Sequence, residues 1–117
     1  MLDRVIIDQL IEDIGQDVFV RLSGQFLDET AERLADITAC RQAAQWRDMA
    51  RHAHSLKSTS QSFGLQLTGH LAQSLQIAGD REDLSAIDLL IPDLIDTAAM
   101  ERREFEALRD VLAVSLR

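Results

Sequence analysis

A chain of 117 residues has room for a single domain, residues 1–117, and buries roughly two-thirds of its unfolded surface, so it can fold without disulfides or a structural metal. Twenty acidic against twelve basic residues give a net charge of −8, which argues against nucleic acid as a partner, because phosphates demand a basic face. No charge-free apolar run approaches the about 20 residues of a membrane span, the first residues lack a secretory signal, and the lone Cys40 cannot bridge internally, which fits a reducing compartment. The chain is expected to be soluble and cytoplasmic. Met1 and a compact end at Arg117 read as a free-standing protein.

Charge distribution says more than the sum. From Met49 to Gly79 there is no Asp or Glu, yet Arg51, Lys57 and all three histidines lie there. Chance clustering and a site that handles an anion both account for it.

One proline, five glycines and few strand formers mark an all-helical composition. Leu2, Val5, Ile6, Leu10 and Ile14 keep helical spacing behind Asp3 as N-cap, predicting a short first helix that Gly15 ends. A second, longer helix opens at Gln16-Asp17. Its apolar stripe is Val18, Phe19, Leu22, Phe26, Leu27, Ala31, Leu34 and Ile37, and it fades near Cys40 to Ala43. Cys40 reads as a small packing residue, since Arg41 alone is weak support for a reactive thiol.

The third helix begins near Ala44, carries Trp46, Met49, Ala50, Ala53, Leu56, Ser60 and Phe63 on one face, and stops at Gly64. The fourth follows at once with Leu65, Thr68, Leu71, Ala72 and Leu75 inward and Gly79 at its end, so the two must be antiparallel neighbours. Gly69 within it costs about 1 kcal/mol of helix propensity, which suggests a close backbone approach. Asp80 or Asp83 caps a fifth helix whose stripe runs from Leu84 to Leu112. Pro92 makes this one bent helix or two in line. Glu101-Arg102-Arg103-Glu104 reads as a solvated face without a site. The fold class is therefore all-α: an antiparallel up-and-down four-helix bundle with a short N-terminal capping helix.

At about 100° per residue along the third helix, His54 falls a quarter-turn from the centre of the apolar arc, at the border of core and water. Arg47, Arg51, Ser58 and Gln61 share its side, and Lys57 sits one turn on, with about 5–6 Å between Cβ atoms. Imidazole is a nucleophile near neutral pH and can form a covalent intermediate. No glycine-rich phosphate loop or nucleophile elbow is present, and no carboxylate stands nearby in sequence to make a hydrolytic pair. His52 and His54, two apart, point to different sides of a helix and make no metal site. His52 reads as an edge-of-core or surface residue, and His70 as solvated. Spacing alone leaves an idle surface His54 and a working one equally open.

The run His54-Ser55-Leu56-Lys57-Ser58, with Ala53 before it and Phe63-Gly64 after it, resembles the signature of histidine-containing phosphotransfer (HPt) domains of bacterial two-component phosphorelays. Ile14-Gly15 and Phe26-Leu27-Asp28-Glu29 resemble that family's first two helices, and Gln76 falls where its members carry a Gln or Glu. The likeness covers roughly residues 2 to 80. It implies that His54 accepts a phosphoryl group from a receiver-domain aspartyl phosphate and passes it to a second receiver. Lys57 would offset the charge on the ring, and Gln76 would orient it. Arg47, Arg51, Ser58 and Gln61 would border the docking surface. The resemblance implies partners in a hybrid sensor kinase and a response regulator, no cofactor beyond magnesium on the receiver, no kinase activity, and a monomer. Ser58 departs from the family, where glycine is commoner, and so bears on partner choice. Two other readings remain: a histidine-kinase-like dimerisation domain, against which Ser55 and Thr59 replace that family's acid and proline, and a non-catalytic helical interaction module in which His54 is idle.

Overall fold

The computed structural model describes residues 1–116, which form five α-helices and no strand. Helix α1 (Arg4–Ile14) starts where Asp3 accepts hydrogen bonds from the Val5 and Ile6 amides at 3.1 and 3.2 Å, a cap worth about 1 kcal/mol. Its inward stripe is Ile7, Leu10, Ile11 and Ile14, not the set that begins at Val5 and Ile6. Ile7 is fully buried, whereas Val5 is 79% exposed and Ile6 39%. The phase is set from outside the helix. Asp3 donates its amide to the Gly64 carbonyl at 2.7 Å, and Leu2 bridges to Leu65, so the chain enters α1 with Ile7 aimed at the core.

Gly15, at φ +88°, turns the chain into α2 (Gln16–Gln42). Phe19, Phe26, Leu27, Ile37 and Cys40 are buried as expected, but Ala31 is exposed, and Ser23 and Thr30 are buried in its stead. Burial of these hydroxyls costs little, because each donates to its own helix: Ser23 to the Val20 carbonyl and Thr30 to that of Phe26, both at 2.9 Å. Burial pushes the Cys40 thiol above its ordinary pKa, with Asp48 and Asp36 adding to the rise and Arg51 opposing it. It stays a protonated packing group.

Helix α3 (Trp46–Ser62) begins two residues later than the composition suggests, because Ala44 takes a left-handed φ of 54°. Helix α4 (Gln66–Asp80) runs one residue past Gly79, so Gly79 is not its stop. That glycine instead admits α3: a Cβ there would meet the Ala50 Cβ at 3.2 Å and the Trp46 carbonyl at 3.3 Å. Gly69 plays the same part, with the Gln61 Cγ 3.0 Å from where its Cβ would stand. Helix α5 (Leu84–Ser115) is capped by Asp83, which accepts from the Ala86 amide at 3.2 Å. It is one helix through Pro92, whose ring faces solvent.

Helices α2, α3, α4 and α5 contact one another in a closed ring, and α1 lies on α2. Ties between α2 and α5 run in opposite order along the two helices. Gln16 donates to the Leu112 carbonyl, Arg109 to that of Val20, Arg102 to that of Leu27, and Arg41 pairs with Asp88. Two apolar clusters fill the ring. One gathers Met49, Ala53, Leu56, Leu75, Ile87 and Leu94 behind the middle of α3. The other packs Phe19, Phe26 and Phe105 with Ile7 and Leu65, and Phe63 stacks on Phe26 at 4.4 Å between centroids.

Glu101 corrects the reading of its stretch as a solvated face. It is fully buried and accepts from the Thr68 amide at 2.7 Å, the Thr68 hydroxyl at 2.6 Å and the Leu67 amide at 3.1 Å. The Met1 ammonium lies 2.9 Å from its second oxygen. A carboxylate from α5 thus caps the first turn of α4, which has no cap of its own.

Candidate functional site

Burial of Met49, Ala50, Ala53 and Leu56 against α4 and α5 fixes the rotation of α3. The opposite face then shows Arg47, Arg51, His54, Ser58 and Ser62 to solvent, at successive spacings of 4, 3, 4 and 4 that hold them on one stripe. His54 is exposed, and its Nδ1 lies 3.2 Å from Oε1 of Gln76 on α4. Since the carbonyl oxygen of Gln76 only accepts, Nδ1 is the nitrogen that carries hydrogen in this arrangement, which leaves the lone pair on Nε2. Gln76 reaches the ring because the two glycines bring α4 close to α3.

An open groove of about 460 Å³ beside the ring is lined by Arg47, Ala50, Arg51, His54, Ser55, Gln76 and Asp80. The structure therefore brings together His54, Gln76, Arg47 and Arg51 of the residues singled out in the sequence. Lys57 is half-buried one turn from His54 and outside this groove. It forms no salt bridge among the described residues. Ser58 is exposed, and its carbonyl accepts from the Ser62 hydroxyl at 2.9 Å. Gln61 lies apart, packed over Gly69 and lining a second groove with Asp3, Ile6 and His70.

Two carboxylates that sequence reasoning did not place here belong to the site's surroundings. Asp48 pairs with Arg51, and Asp80 lines the groove. They bracket the acid-free span in sequence and return to it in space. For Asp80 the signal was available, since it stands four residues after Gln76 on one helix face. The region is thus poor in acids without being free of them.

His52 differs from His54 in the property that matters. It is half-buried, and its Nδ1 lies 2.9 Å from the Arg33 guanidinium, with Asp36 at 3.6 Å. Arginine only donates, so Nδ1 of His52 is an acceptor and the neutral ring carries its hydrogen on Nε2. Two residues apart on one helix, the histidines are set in opposite tautomers. His70 is exposed. Among the described residues no group of three or more His, Cys, Asp or Glu side chains is placed to hold a metal ion.

The Hpt domain family matches residues 21–101 of the chain. A crystal structure of histidine-containing phosphotransfer protein B (HptB) from Pseudomonas aeruginosa PAO1 is similar to the whole fold, with a TM-score of 0.88 and 27% sequence identity over 93% of this chain and 94% of that one. No curated protein matches the sequence.

Proposed function

The chain belongs to the Hpt domain family, which gives it a histidine phosphotransfer role in a two-component phosphorelay, and we propose that His54 carries the phosphoryl group. The observation that supports this is the ring's setting: exposed and tied through Nδ1 to Gln76 at 3.2 Å, which leaves the lone pair on Nε2. A receiver domain of a hybrid sensor kinase docks over α3 and presents its aspartyl phosphate. The Nε2 lone pair attacks phosphorus in line with the acyl oxygen; the N–P bond forms as the P–O bond breaks, and the electron pair leaves with the receiver's carboxylate. The ring keeps its Nδ1 hydrogen, shared with Gln76, so no proton has to move before the attack. A second receiver, on a response regulator, reverses the step with its own aspartate.

Lys57, one turn from the ring, offsets the charge of the phosphoryl oxygens. The magnesium that such chemistry uses resides on the receiver. Phosphoryl groups arrive and leave through receivers, so the chain itself has no ATP site to fill and acts as a monomeric cytoplasmic carrier. The opposed order of the ties between α2 and α5, with links of three residues between the remaining neighbours, supports an antiparallel up-and-down bundle beneath this site.

Incubation with a receiver bearing radiolabelled aspartyl phosphate tests the assignment. Label is expected on the chain as an acid-labile, base-stable phosphate, lost in His54→Gln and kept in His52→Gln and His70→Gln. Label retained by the His54 variant would overturn it.

A further inference from the structure

Charge in the groove beside His54 is balanced before any phosphoryl group arrives. Its lining includes the guanidinium groups of Arg47 and Arg51 and the carboxylate of Asp80, and Arg51 is paired with Asp48. Two cations are thus matched by two carboxylates. Packing holds Asp80 in this set. Gly79 lies so close to α3 that a Cβ on it would meet the Ala50 Cβ at 3.2 Å and the Trp46 carbonyl at 3.3 Å, so the next residue of α4 stands beside the turn of α3 that carries Arg47. Lys57 is the exception. It lies outside the groove, one turn past the ring toward the end of α3, and forms no salt bridge among the described residues.

We propose that Asp48 and Asp80 set the poise of transfer at His54: by neutralising the arginines they leave the phosphohistidine weakly held and make it a strong donor to a receiver. The inference rests on the phosphotransfer reading above and adds a direction to it. The phosphoryl group moves between the aspartate oxygen of a receiver and Nε2 of His54, one bond forming as the other breaks. The equilibrium therefore depends on how well each side stabilises the group. A phosphoryl group carries about −1.5 to −2 charge at neutral pH. On His54 it meets a groove with no net positive charge to offset it. Arg51 can turn to it only by leaving Asp48, and Asp80 repels it from the α4 side. Lys57 alone attracts it with no carboxylate competing.

Two properties separate this role from contact with a partner. A solvated carboxylate about a helical turn from a doubly charged group changes its equilibrium about fivefold at low ionic strength, and the effect is screened almost away at about 1 M salt. A residue that only touches the receiver changes forward and reverse transfer by the same factor. Where the proteins are mostly free, it leaves the partition of label between them untouched. The two acids act on the phosphorylated chain itself and so shift that partition.

Asp48→Asn and Asp80→Asn keep the side-chain shape and remove one charge each. Asp80 lies in the last turn of α4, where an acid opposes the helix dipole, so its loss does not weaken the fold. Each chain is labelled on His54 with phosphoramidate, a small phosphoryl donor, and mixed with unphosphorylated receiver and magnesium. The same mixture is reached from the phosphorylated receiver, so that the end point is an equilibrium. At low salt the equilibrium constant is expected to move about fivefold toward the chain in each variant, and to converge on the wild-type value at about 1 M salt. Asp93→Asn, which removes an exposed acid from α5, should leave it unchanged, and Lys57→Gln should move it toward the receiver. A wild-type equilibrium constant in both Asp48→Asn and Asp80→Asn would overturn the proposal even if rates differ, by assigning the acids to encounter with the partner. A shift that survives high salt, or an equal one in Asp93→Asn, would overturn it as well. Failure of the phosphotransfer reading is separate: it shows as label surviving in His54→Gln, whatever the acids do.

Discussion

An imidazole in water exchanges its hydrogen between two nitrogens, and only the bare one can attack phosphorus. Gln76 biases that exchange by placing an acceptor 3.2 Å from Nδ1 of His54. Arg33 biases it the other way in His52, by placing a donor 2.9 Å from the same atom. A hydrogen bond of this kind is worth about 1 kcal/mol net, or roughly a fivefold to tenfold shift in population. Gln76→Leu keeps the bulk and removes the acceptor. Nitrogen-resolved NMR should then show His54 losing its Nδ1–H form, with transfer slowed by roughly the same factor, while His52 stays Nε2–H. An unchanged His54 tautomer would remove Gln76 from the mechanism. The pair was legible in the sequence only through the family likeness, because Gln76 lies 22 residues away on a separate helix, and periodicity cannot show which side chains meet across two helices.

The junction of α3 and α4 also fixes the phase of α1. Gly64 turns at φ +80°, a region that costs other residues about 1–2 kcal/mol. A Cβ there would lie 2.8 Å from Cγ1 of Ile7 and 2.9 Å from the Asp3 carbonyl. Backbone cannot yield as a side-chain end can, so Gly64→Ala should cost about 2–4 kcal/mol, read as a lower urea midpoint at unchanged slope. Gly24→Ala is the contrast: its Cβ would meet only the tip of the Arg109 side chain, at 2.9 Å, and helix propensity favours the change. Equal stability of Gly64→Ala and the native chain would show that the turn is free to adjust. The glycine was readable as a helix stop from its place after an apolar run. Its second task was not, because Ile7 and Asp3 reach it only once α1 has docked. The same limit explains why Val5 and Ile6 were placed inward. Spacing gives the period of a helix, but the contact at Gly64 sets its rotation.

Across the molecule, apolar burial falls into two clusters, with Glu101 joining α5 to the first turn of α4. Four neighbouring charges, Glu101 to Glu104, look solvated in sequence, since carboxylates are rarely buried without partners. The partners exist, but they are the Met1 ammonium, the Leu67 and Thr68 amides and the Thr68 hydroxyl, all more than thirty residues away. A buried carboxylate that accepts from every side is costly to alter, because the remaining donors are left without acceptors. Glu101→Gln keeps the shape and one acceptor oxygen while turning a donor toward donors. It should cost about 3 kcal/mol, lowering the thermal midpoint by roughly 10 °C in a domain of this size. Hydrogen exchange locates the damage: amides at Leu67 and Thr68 should lose protection more than those of α2. The first turn of α4 would then fray while its far end, where Gly79 packs on Ala50, still holds Gln76 against His54. Labelling by phosphoramidate at a temperature where the variant is folded should therefore proceed near the wild-type rate. A variant as stable as the native chain would mean that water or a shifted α4 replaces the lost acceptor; a folded variant that cannot be labelled would mean that the cap at one end of α4 governs the histidine at the other.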